Sequence, residues 1–139
     1  MQQPSRTRMK IALNLVLLLI LITFSGCGEG KIYSEIVDPD AIDHPPHSVR
    51  TLGPNGWIKS DFTEESNGSV VIELITHHAA CTNPQSRSLG ADFDGYVRVT
   101  IQEDNHTIAR GQMDFKGKPT PEMAQAIYDT LLRKLHWRE

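Results

Sequence analysis

The chain has 139 residues, with 14 Lys and Arg, 17 Asp and Glu, and a formal net charge of −3. That length suits one domain. The acidic balance argues against a nucleic-acid partner, because binding phosphate needs clustered basic side chains. Two cysteines are too few for a disulfide framework.

The first element is a leader. Arg6, Arg8 and Lys10 precede an aliphatic run over residues 11–24, broken only by Asn14 and Thr23, and Ser25, Gly26 and Cys27 follow. A basic start, an apolar middle and small residues at a cleavage point describe a secretory signal. The run is shorter than the roughly 20 apolar residues that a spanning helix needs. Phe24-Ser25-Gly26-Cys27 resembles the lipobox of bacterial lipoproteins, with Phe24 where that motif usually has Leu. The resemblance implies cleavage between Gly26 and Cys27, acylation of the Cys27 thiol, and attachment to the membrane through the acyl chains. Gly28 follows the cysteine where Asp would signal inner-membrane retention, which for a Gram-negative source implies the outer membrane with the domain facing the periplasm. Without the leader, eleven basic residues stand against seventeen acidic ones, a net charge of about −6. A polybasic hold on anionic lipid is therefore not expected.

Residues 27–50 read as a lipid-anchored flexible tether, and residues 51–139 as a small α+β domain. Residues 31–37 carry a weak strand alternation. Residues 38–50 hold adjacent prolines, three aspartates and two histidines, with little to bury, and read as linker or surface arm. Residues 57–62 predict a short strand. Asn67-Gly68 predicts a hairpin turn into a strand over 69–77. Its second face, with Val71 and Ile75, is apolar enough for a central strand or one covered on both sides, and if the helix covers only one face the other offers a docking surface.

Residues 81–95 predict a loop. Strands follow over 96–103 and 107–115, with Gly111 marking a bulge or a close approach. The last element is a helix over 121–137. Thr120 is its N-cap and Pro121 its first residue, with Ala124, Ile127, Tyr128, Leu131 and Leu135 on one stripe. The expected fold is α+β, a small antiparallel sheet of three or four strands packed against one C-terminal amphipathic helix.

Chemistry-bearing residues are sparse. His77, His78 and Cys81 offer imidazoles and a thiol of the kind zinc accepts, and His44 and His47 repeat the spacing. The alternative function is thus a periplasmic metal- or ligand-binding module using His77, His78 and Cys81. Cys81 with a neighbouring histidine lacks any marked third group to orient a base. Asp92-Phe93-Asp94-Gly95 lacks the later acids and closing glutamate of a calcium loop. No catalytic residue and no cofactor is expected. The reading is a non-enzymatic accessory or assembly subunit of a cell-envelope complex.

Overall fold

A computed structural model describes residues 30–78 and 93–138. Six strands and one long helix follow in chain order: β1 Ile32–Ile36, β2 Ser48–Leu52, β3 Thr63–Glu64, β4 Val70–His78, β5 Gly95–Glu103, β6 His106–Phe115 and α1 Pro121–Lys134. The fold class is α+β, with the C-terminal helix where the sequence places it. The sheet is larger than expected and is mixed: its order is β1-β6-β5-β4-β2-β3, antiparallel through β4 and parallel between β4, β2 and β3.

Local chemistry accounts for the central hairpin. β5 and β6 alternate apolar and polar residues, and Asp104 and Asn105 both take positive φ (48° and 65°) in the turn between them. Those dihedrals match the primed turn whose twist suits a tight hairpin. Ile101 pairs with Ala109 and Gln102 with Thr107, so Ile108 is the extra residue of a bulge. Its carbonyl accepts from the N–H groups of Val37 and Asp38 at 2.8 and 3.0 Å, fastening the end of β1.

Helix α1 starts where Thr120 Oγ1 accepts from the Met123 N–H and Pro121 needs no donor. It ends at Lys134, earlier than the predicted 137, and His136 follows with φ 56°. Ala124, Ile127, Tyr128, Leu131 and Leu135 are buried, together with Leu132. They lie over Val97, Val99 and Ile101 of β5, Ile72 and Leu74 of β4, and Met113 and Phe115 of β6. Gly111 is the contact point: a Cβ there would stand 2.5 Å from Ile127 Cγ2. Close approach of the helix explains this glycine; the bulge lies elsewhere on the strand.

Three expectations need correction. Residues 57–62 form no strand. They belong to the crossover from β2 to its parallel neighbour β3, where Ile58 is buried, the Lys59 N–H donates to Gln125 on α1 at 2.7 Å, and Ser60 bonds Tyr128. Asn67-Gly68 is a turn but not a hairpin, because β3 and β4 do not pair: β2 lies between them. Gly68 fits against the backbone of Val49 so tightly that a Cβ would come within 2.7 Å. The third correction is the strand count itself. β1 and β2 both contain residues from the stretch read as tether, Ile32–Ile36 against β6 and Ser48–Leu52 against β4. Sheet strands therefore lie on both sides of the boundary read at Thr51.

Candidate functional site

A strand buries alternate side chains, so a sheet covered on one side presents a second, ordered set on the other. Helix α1 covers one face here. Register sets out the opposite face in rows that cross the strands. One row runs Asp114, Tyr96, His77. The next runs Tyr33, Gln112, Arg98, Ile75. A third runs Glu35, Arg110, Thr100, Glu73, Leu52.

The middle row is the most organised. Arg98 donates to Gln112 Oε1 through Nε (3.2 Å) and Nη2 (2.8 Å), and the Gln112 amide donates on to Asp114 Oδ1 at 3.0 Å. The Arg98 guanidinium lies 4.8 Å from the centroid of the Tyr96 ring. Tyr96 in turn stacks on His77 at 5.1 Å. Among the described residues no carboxylate pairs with Arg98, so its charge is held by a neutral amide and a ring. Beside it Arg110 pairs with Glu35 at 2.6 Å, both side chains more than half exposed. A shallow groove of about 390 Å³ runs between Tyr33, Glu35, Arg98, Arg110 and Gln112.

Exposed apolar side chains flank these polar rows: Tyr33 is 55% exposed and Ile75 41%. The face therefore combines aromatic and aliphatic surface with oriented guanidinium and amide groups, the composition that protein interfaces favour. Its chemistry is that of holding another molecule through rings, donors and acceptors.

The residues singled out from sequence are dispersed. His77 and His78 are consecutive on β4 and point to opposite sides of the sheet. His77 stacks on Tyr96, while His78 meets Phe115 edge-on at 5.4 Å. Gly26, Cys27 and Cys81 lie outside the described residues. Among the described residues no group of three or more His, Cys, Asp and Glu side chains is placed to hold a metal. His44 and His47 do share a second groove, of about 430 Å³, with Asp38, Asp40, Glu103 and Trp137. There the His44 Nδ1–H donates to the Ile42 carbonyl at 2.8 Å.

The tryptophans are structural. Trp137 donates from Nε1 to the Ala41 carbonyl at 2.9 Å and meets Phe62 edge-on, closing one margin of the core. Trp57 is half-buried against the core from the crossover. His136 bonds Asp43 at the surface, at 2.9 Å. Three ionisable groups among the described residues have shifted affinities for protons, and in one of them, Arg138, the hydrogen bond to Asp61 raises it. Burial pushes the Tyr128 hydroxyl above the ordinary tyrosine value, opposed by its hydrogen bond to Ser60. Glu122, at the start of α1, is held below the ordinary glutamate value by hydrogen bonds from its own backbone N–H and from Thr120.

Tyr33, Arg110 and Gln112 carry the face and were not singled out from sequence. The signal was present in the period-two alternation of 31–37 and 107–115, which puts Tyr33 with Glu35 and Arg110 with Gln112. Joining the two segments required knowing that β1 pairs with β6. This chain matches no protein-family model, no curated protein and no solved structure.

Proposed function

We propose that this chain is a non-enzymatic accessory subunit of a cell-envelope complex. Acyl chains on Cys27 anchor it after cleavage behind Gly26, and it docks a protein partner on the uncovered face of its sheet. In a Gram-negative cell the anchor is in the outer membrane and the domain faces the periplasm. One observation carries the docking part of this reading: a sheet with one face sealed by α1 leaves the other with Tyr33, Ile75 and Leu52 exposed around Arg98, Gln112 and Arg110. The leader motif carries the anchor part.

Two measurements test the parts separately. Cys27→Ser should leave the precursor uncut and release it from lipid-dependent membrane binding; normal processing and membrane retention of that variant would end the anchor reading. For docking, the protein is extracted from its membranes in mild detergent and recovered with whatever binds it. A stoichiometric partner is expected with the unaltered chain and is lost with Arg98→Glu and Tyr33→Ala combined. A partner retained by that folded double variant, or a chain that is always recovered alone, overturns the docking reading.

A further inference from the structure

The two ends of the domain differ, and the difference bears on where it stands relative to the bilayer. The end where β1 enters the sheet also holds the end of β6, the start of β5 and the turn into α1. Gly30 lies against β6 here, its position 3.0 Å from the Asp114 carbonyl as measured from an ideal Cβ. The Asp94 N–H donates to the Phe115 carbonyl at 2.9 Å, which sets Phe93 at the same end. Only Gly28 and Glu29 stand between Cys27 and Gly30. Three residue steps, fully extended, reach at most about 11 Å. A domain with its first strand so near an acylated cysteine has no long tether on which to float.

The side chains at this end suit a lipid headgroup layer. Phe93 is 51% exposed although it is a large apolar ring. Lys31 and Lys118 are exposed at the same end. Lys31 Nζ also lies 5.2 Å from the Tyr33 ring, an aromatic–ammonium pair of the kind that sits at membrane interfaces. Among the described residues, the carboxylates at this end are turned to their own chain: Asp94 accepts from the Gly117 N–H at 2.7 Å, Asp114 accepts from Gln112, and Glu122 is held by its own backbone and Thr120. The far end gathers more acidic side chains, Asp38, Asp40, Glu103 and Asp104 around the second groove and the central hairpin, of which Asp38 accepts from the Asp40 N–H.

We infer that the end of the domain formed by Lys31, Phe93 and Lys118 rests on the bilayer surface, with the Phe93 ring among the headgroups and the acidic end directed away. The inference rests on acylation of Cys27. It makes the uncovered face stand upright from the membrane along the β-strands, oriented for a partner rather than free to tumble.

The test uses the full, processed protein in vesicles of phosphatidylethanolamine and phosphatidylglycerol. Phe93→Trp adds one indole at the proposed contact, and His106→Trp adds one at the opposite end. Lipids brominated near the headgroup end of their acyl chains then act as a short-range quencher. The expected result is strong quenching of the indole added by Phe93→Trp and none of that added by His106→Trp, against the constant emission of Trp57 and Trp137. If the protein floats with the vesicles but both added indoles are quenched alike, or neither is, the domain is not docked and the inference fails while the anchor stands. If the processed protein does not float, the anchor reading fails and this inference fails with it.

Discussion

The two faces of the sheet are built from the same strands by opposite means. Beneath α1 the residues are Val, Ile, Leu, Met and Phe, all but dry, and contact is close enough that Gly111 has no room for a Cβ. On the other face the same strands display Arg98, Gln112, Arg110, Glu35 and Glu73, joined side by side by hydrogen bonds and ion pairs. Packing holds the first face, and cross-strand pairing arranges the second. Burial of apolar area is worth far more than exposed polar pairs. Stability should therefore reside on the helix side and recognition on the other.

The largest expected effect breaks the packed face. Leu131→Ala removes a fully buried side chain that lies over Gly111 and should cost about 2–5 kcal/mol in denaturant unfolding. Its counterpart Ile75→Ala, on the open face, should shift the same unfolding midpoint by no more than about 0.5 kcal/mol. Equal losses at the two positions would show that the open face is part of the core.

Gly111→Val attacks the packed face by excess. Its Cβ must displace Ile127, and overpacking of this kind costs about 1–3 kcal/mol. A smaller residue at the other side of the contact, Ile127→Ala, should recover part of the loss in the double variant. If the two losses simply add, the helix does not sit on Gly111.

How much of this contrast could be read from the chain depends on where each contact comes from. The covered face was legible because local periodicity specifies it: β5, β6 and α1 each show their buried side in a single segment. The open face needs strands far apart in sequence. Glu35 meets Arg110 only because β1 crosses to the far side of β6. The segment 38–50 hid β2 because prolines, aspartates and histidines outnumber Val49, which is almost wholly buried. The segment 57–62 misled in the other direction. Trp57, Ile58 and Phe62 are apolar enough for a strand, yet the place beside β4 is taken by β2, so they pack against α1 as a crossover. Of the zinc candidates, the adjacent histidines on β4 point to opposite sides of the sheet, and Cys81 lies outside the described residues.

A smaller effect probes the rim of the packed face. Tyr128 is buried and its hydroxyl lies 3.1 Å from Ser60 Oγ, so Tyr128→Phe should cost about 1 kcal/mol near neutral pH. Because burial raises its proton affinity, the folded state keeps the phenol proton at a pH where the unfolded chain gives it up. The associated stability is full below the ordinary tyrosine value of 10.0 and is lost as pH rises past it. Thermal unfolding across that alkaline range should fall more steeply for the native chain than for Tyr128→Phe. Parallel curves would mean that the hydroxyl is not desolvated.

The smallest effect belongs to the open face and sharpens the comparison most. Glu35 and Arg110 form an exposed pair between β1 and β6, and exposed pairs contribute about 0.2–1 kcal/mol. A double-mutant cycle of Glu35→Ala and Arg110→Ala should give a coupling in that range, and salt should erase it because both groups face water. Yet the same two substitutions alter the groove beside Arg98, where a partner would meet them. The pair should therefore matter little to unfolding and much to recovery of a partner from membranes. A coupling that survives high salt would place the pair in a drier setting than an uncovered face allows, and the division of labour between the two faces would be lost.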